Sequence, residues 1–317
     1  MPGDEPMPQS IQPEQHVLVY DRIAKNRRQT WVMMSLFVVL LGGFVTLVAY
    51  LLGVPIYVAP VFFVALGAYA LFSYYASASV ALAVSRAHEV TREEEPELHR
   101  VVENLSIGSG LPMPKVYVID DPSPNAFATG RDPQHAAVSV TTGLLQMMNR
   151  EELEGVLSHE MSHIKNFDVR LLLIVTTMIG MAAIISSIFW RGALRMNFRG
   201  RNSGQAMLVI FAIGIIFTLI AFLVGPLMQL ALSRDRESLA DVSGVELTRN
   251  PVGLINALKK IGANDKPPEK FNHAVAAMCI DNPEEHHGSF FSRLFETHPP
   301  IEERIAALEK IASVQQT

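Results

Sequence analysis

The chain has 317 residues, of which 49% are hydrophobic and only 18% charged, and its mean hydropathy is +0.24. That balance is too apolar for an ordinary soluble enzyme and excludes a disordered or collagen-like chain, while the single cysteine, Cys279, excludes a disulfide-stapled secreted domain. A net charge of −5 and a pI near 6.1 leave no electrostatic basis for binding nucleic acid.

Residues 1–30 are polar and form an N-terminal segment ahead of the first apolar stretch. That stretch, 31–53, carries no charge and has Trp31 at its edge, where an indole sits at headgroup level. After the uncharged turn Gly53-Val54-Pro55 the chain is apolar again from Ile56 to Val84. A membrane-spanning helix needs about 20 such residues, so 31–85 reads as a transmembrane hairpin. A cleaved signal peptide fits poorly, because a long polar segment precedes the stretch and the stretch exceeds the usual apolar core of about 7–15 residues. Arg22, Lys25, Arg27 and Arg28 precede the hairpin and its turn has no basic residue, which puts the N-terminus in the cytoplasm and residues 86–168 with it.

Residues 86–106 read as a helix with Leu98, Val101, Val102 and Leu105 on one stripe, and Glu93-Glu94-Glu95 as its solvated face. Val116 to Ile119 and Ala137 to Thr141 alternate like strands. Asn149 with Glu152 at the third helical position forms a capping box that opens a helix through at least Asn166. A second apolar hairpin, 169–232, follows. Its loop holds Arg191, Arg195, Arg199 and Arg201, which opposes placing that loop outside; the pair either spans despite the bias, inserts shallowly, or packs on the protein. Residues 233–248 continue as helix until Asn250-Pro251, and the last helix begins at Pro300 with Ile301, Ile305, Leu308 and Ile311 on one side.

The chemistry centres on His159-Glu160-Met161-Ser162-His163. Histidines at i and i+4 lie one turn apart, so both imidazoles can reach one Zn²⁺. Glu160 lies about 100° round the helix from His159, where its carboxylate can take a proton from a zinc-activated water. A catalytic zinc needs a third protein ligand and an open position. In the helix after the second hairpin, Glu237 and Asp241 share a face at i and i+4, so Glu237 can be that ligand while Asp241 accepts a hydrogen bond from a zinc histidine and fixes its tautomer. The alternative is a solvated helix laced by Arg234 and Arg236. If Glu237 meets His159 and His163, the intervening hairpin crosses the membrane twice or not at all.

These motifs, with Asn125-Ala126-Phe127-Ala128-Thr129-Gly130 and with Thr297-His298-Pro299-Pro300 followed by Arg304, resemble the HtpX-type membrane zinc metalloproteases, gluzincins of the family that also holds the CAAX prenyl proteases. The resemblance covers nearly the whole chain and departs from the type only in a longer polar N-terminus. It implies a mainly α integral membrane protein whose zincin-like α+β protease domain has a small edge-exposed sheet and two hydrophobic helical hairpins. The protease domain is then split into a first part, 86–168, and a second, 233–317. The resemblance further implies one Zn²⁺ held by His159, His163 and Glu237, with Glu160 as catalytic base, in a bacterial inner membrane with the site facing the cytoplasm. The implied activity is endoproteolysis of misfolded membrane proteins in a stress response shared with the AAA protease FtsH.

Residues Asn125, Ala126, Phe127 and Ala128 suit an exposed edge strand to which a substrate peptide could add, though the segment also reads as an ordinary turn. The resemblance places His298 and Arg304 near the zinc, where His298 either stabilises an oxyanion or occupies the open metal position as a latch. His286 and His287 read as solvated and Cys279 as a buried thiol. Two rival functions stay open: a narrow processing protease of the CAAX type, and a membrane scaffold with a relict metal site.

Overall fold

The computed structural model describes residues 55–167, 169, 234–263 and 300–315, together with single residues and short runs between 28 and 53. A short 3-10 turn, Ile56–Val58, leads into α1, Ala59–Val84, with a proline in its first turn where a missing N–H costs no hydrogen bond. Together they make the one helix, among the described residues, that is long and apolar enough to cross a membrane. A shorter apolar helix, Thr30–Gly43, lies against it. Trp31 stacks on Tyr74 at 5.6 Å between ring centroids and Phe37 meets Tyr69 at 6.5 Å. Gly42 faces Phe63 so closely that a Cβ there would come within 2.6 Å of the ring. Partner positions fall on one arm as they rise on the other, so the two arms run antiparallel. The second apolar hairpin lies outside the described residues apart from Val169.

The helix expected over 86–106 begins later, as α2, Pro96–Ser109, and the preceding residues form β1, His88–Glu89, and a turn containing Glu93 to Glu95. Proline accounts for the shift: Pro96 suits a first helical position, but it pushes Glu95 out of the helical region, to φ −129° and ψ 72°. The stripe Leu98, Val101, Val102 and Leu105 is buried as expected.

Strands β2, Lys115–Ile119, β3, Ala126–Thr129, and β4, Ala137–Thr141, complete a mixed sheet ordered β1-β2-β4-β3. β2 and β4 are parallel, and β3 pairs antiparallel with β4 at the end of the sheet, with Phe127 opposite Ser139. A short helix α3, Thr142–Met147, absent from the sequence reading, turns the chain into α4, Arg150–Asn166. The capping box at its start is present: Glu152 N donates to Asn149 Oδ1 at 2.9 Å and Asn149 N to Glu152 Oε2 at 2.8 Å.

Helix α4 is the spine of the core that the sheet and the helices packed on it share. Val156, Leu157, Met161 and Ile164 join the core shared with α2 and the sheet, and α5, Arg234–Thr248, and α6, Pro251–Gly262, pack on its other sides. The sequence reading missed α6, because Asn250-Pro251 ends one helix and also starts the next: Asn250 Oδ1 accepts from Val252 N and Gly253 N while the proline takes the first turn. Helix α7, Ile301–Gln315, closes over α6 and α5 with Leu308 buried and Ile301, Ile305 and Ile311 partly so.

Gly155 of α4 lies where a Cβ would sit 2.6 Å from Leu254 N and 2.8 Å from its Cα, so the α4–α6 contact requires glycine. Gly155→Ala is expected to destabilise the protein by about 1–3 kcal/mol, the usual cost of overpacking, read as a lower melting temperature in detergent. Gly67→Ala in α1, where a Cβ would meet nothing within 4 Å beyond its own helix, serves as the control and is expected not to lower it.

Candidate metal centre

The second half of α4 carries His159, Glu160 and His163. Helix α5 crosses it at Gly244, where a Cβ would meet Ser158 Oγ at 2.9 Å and His159 N at 3.1 Å. Glu237, Asp241 and Gly244 follow one another at about one-turn intervals, so the same stripe that allows close approach also carries both carboxylates to the histidines.

The donor atoms of the three residues lie close together. His159 Nε2 and His163 Nε2 are 3.2 Å apart, and Glu237 places Oε2 3.5 Å from the first and Oε1 3.4 Å from the second. Ligands at about 2.0–2.1 Å from a tetrahedral zinc are separated by roughly 3.3 Å; the two imidazole nitrogens meet that spacing and the Glu237 carboxylate turns one oxygen toward each of them, a donor set that suits the ion. These three residues could therefore hold one metal ion. His159, Glu160, Glu237 and Asp241 are all buried, and His163 is 12% exposed.

Asp241 Oδ1 lies 2.8 Å from His159 Nδ1, which puts the proton on Nδ1 and leaves Nε2 with its lone pair toward the other two donors. Arg304 of α7 forks onto the same carboxylate, donating from Nε to Oδ2 at 3.0 Å and from Nη2 to Oδ1 at 2.7 Å. Its Nη2 is also 3.3 and 3.4 Å from the two ring nitrogens of His159. Two of the three guanidinium nitrogens are thus committed to Asp241 or lie against the His159 ring, so Arg304 holds this pair in place. Burial, the largest influence on His159, and Arg304 favour the neutral ring, but Asp241 and Glu237 outweigh them and raise its pKa to about 9. A metal ion would ligate the neutral ring at Nε2, so its binding displaces the proton from that nitrogen. Burial also works against the charge on Asp241, yet Arg304 and His159 hold its carboxyl well below the usual carboxylate range.

Glu160 points to the sheet: its Oε2 accepts from Ala128 N of β3 at 2.8 Å. The register makes Phe127 and Thr129 the residues bonded to β4, so Ala126 and Ala128 direct their backbone groups to the outer edge, beside Glu160. The strand expected at Asn125, Ala126, Phe127 and Ala128 is therefore the sheet edge, but it is not exposed as the sequence suggested. All four residues are buried, because Ala126 and Ala128 join the main core while Phe127 packs in a cluster with Ile119 and Ala81 of α1. Asn125 Oδ1 accepts from Ala126 N at 2.9 Å.

Of the residues singled out from sequence, His159, Glu160, His163, Glu237, Asp241 and Arg304 converge, and 125–128 line the same place. His298, Cys279, His286 and His287 lie outside the described residues. Gly244 escaped the sequence reading, although its spacing from Asp241 on a helix expected to meet the histidines was a usable signal.

A model of peptidase family M48 matches residues 92–312. Relatives described as "Protease HtpX homolog" include that of Lactobacillus helveticus, 44% identical over 93% of this chain and 100% of the relative, and that of Tropheryma whipplei, 42% identical over 93% and 99%. A solved structure, that of Ste24p from S. mikatae, aligns over 88% of this chain and 66% of its own with 17% identity and a TM-score of 0.48. The chain belongs to peptidase family M48 and is a metallopeptidase, a hydrolase of peptide bonds.

Proposed function

We propose that this metallopeptidase is a zinc endopeptidase anchored in a bacterial inner membrane, with its site on the cytoplasmic face. The observation that carries the zinc assignment is the convergence of His159, His163 and Glu237, whose imidazole nitrogens lie 3.2 Å apart with a Glu237 oxygen within 3.5 Å of each. Zinc bound there would polarise the substrate carbonyl and lower the pKa of a water. Glu160 takes the proton of the attacking water and later delivers it to the leaving amine. Glu160 lies at the sheet edge beside Ala128, and a substrate strand that pairs there takes the Ala128 N–H from Glu160 and the Ala126 N–H from Asn125 Oδ1. Main-chain pairing makes affinity largely independent of side chains, which suits an enzyme that meets diverse unfolded segments of membrane proteins. The resemblance of the whole chain to the HtpX type supports a role in the quality control of misfolded membrane proteins, alongside FtsH.

Asp241 orients His159, and Arg304 orients Asp241, so both act through another group rather than on the substrate. His298 remains assigned by resemblance, as an oxyanion stabiliser or a latch on the metal; His298→Ala lowers activity in the first case and raises it in the second.

Glu160→Gln is expected to retain one zinc per chain while casein cleavage and self-cleavage fall about 10²–10⁴-fold, measured on protein purified in detergent. Unchanged cleavage would refute Glu160 as the base. Asp241→Asn is expected to weaken zinc binding about 10–100-fold in a chelator competition, because the His159 tautomer is no longer fixed. In a Cys279→Ser background, single cysteines in the 191–205 loop are expected to react with membrane-impermeant reagents from outside if the second hairpin spans, and only after permeabilisation if it does not.

A further inference from the structure

The exposed side chains along α1 change character at one level. Between Ile56 and Tyr75 most are large and apolar: Ile56, Tyr57, Val61, Val64, Leu71, Phe72 and Tyr75 are all more than a third exposed, and the smaller Pro60, Ala65 and Ala68 are exposed among them. Beyond Tyr75 the exposed residues are Ser79, Ala83 and then Arg86. Tyr57 and Tyr75, 78% and 62% exposed, bracket the apolar part, and the eighteen residues between their positions rise about 27 Å, close to the ~30 Å thickness of a hydrocarbon core.

At the Tyr75 end the hairpin gathers aromatic rings and cations. Trp31 stacks on Tyr74, Tyr74 meets Tyr75 edge-on at 4.9 Å, and the Arg131 guanidinium lies 5.6 Å from the centroid of Tyr75. Arg28, exposed, precedes Trp31 by less than one turn. Amphipathic rings flanked by guanidinium groups fit the level where acyl chains give way to phosphates. Arg131 belongs to the loop that follows β3, and the cluster holding Phe127 to Ala81 lies only six residues past Tyr75, a rise of about 9 Å.

We propose that Trp31, Tyr74 and Tyr75, with Arg28 and Arg131, are a lipid-headgroup contact that fixes the bilayer boundary at Tyr75 and holds β3 about 9 Å above it on the emergent end of α1. Given the peptidase reading, the substrate class narrows. An extended chain covers about 3.3 Å per residue, so the segments taken by this edge begin roughly three residues beyond a membrane-spanning stretch.

The depth is measured by placing nitroxide labels on single cysteines at Phe72, Ser79 and Ala83, in a Cys279→Ser background, in nanodiscs containing phosphatidylglycerol. The inference expects the Phe72 label to be relaxed preferentially by oxygen and the Ser79 and Ala83 labels by a water-soluble nickel chelate. Oxygen preference at Ala83, nickel preference at Phe72, or a Phe72 label shielded from both reagents by protein would overturn it. A reporter peptide tethered to a transmembrane helix then tests the reach. Cleavage with a three-residue spacer at a rate within a few-fold of that with a fifteen-residue spacer supports the inference, and cleavage with the long spacer alone contradicts it. If neither reporter nor casein is cleaved, the activity reading fails, while the depth profile decides the membrane boundary on its own.

Discussion

The close crossing of α5 over α4 is the constraint on which the site depends. His159 and His163 need only a helix to come together, but Glu237 is far away in sequence and arrives on a separate helix. Gly244 lets the two backbones approach until a side chain would collide with Ser158 and His159. That approach converts a pair of imidazoles into a three-cornered donor set. Behind it, α4 is held on its far side by Gly155 against Leu254 and at its start by the reciprocal hydrogen bonds of Asn149 and Glu152. Lys260 of α6 adds an ion pair to Glu152 at 2.6 Å, so the capping residue is itself anchored.

Burial makes this arrangement demanding electrostatically. Glu160, Glu237 and Asp241 are carboxylates removed from water, and Arg304 is the buried guanidinium that faces them. Ionised together, three carboxylates and one guanidinium leave two negative charges in a low-dielectric place, which is costly without compensation. A divalent cation held by His159, His163 and Glu237 would balance that charge. Arg304 therefore ties the C-terminal helix to the site: α7 docks by burying Leu308, and its guanidinium locks the carboxylate that orients a histidine.

Much of this was legible before any coordinates because certain residues carry their geometry locally. The histidine spacing, the capping box and the i, i+4 relation of Glu237 to Asp241 are fixed by the pitch of a helix. The strand ending at Ile119 and the one ending at Thr141 could be read from alternation. The boundary at Pro96 went wrong because an apolar stripe extends a helix pattern upstream of a proline that in fact starts it. The edge strand was expected to be exposed because small residues suggest openness, whereas here they allow burial between α4 and α1. Contacts set by tertiary approach, such as Gly244 against His159 or Arg304 forked on Asp241, leave little periodic trace in sequence.

Two histidines and a glutamate from separate parts of the chain are proposed to hold one zinc. X-ray absorption at the zinc edge, combined with elemental analysis of the purified protein, addresses it most directly. The expected result is one zinc per chain with two imidazole nitrogens and carboxylate oxygen at about 2.0–2.2 Å, and loss of that metal from Glu237→Ala protein that remains folded. A thiolate in the coordination shell, or full zinc content in folded Glu237→Ala protein, would contradict it.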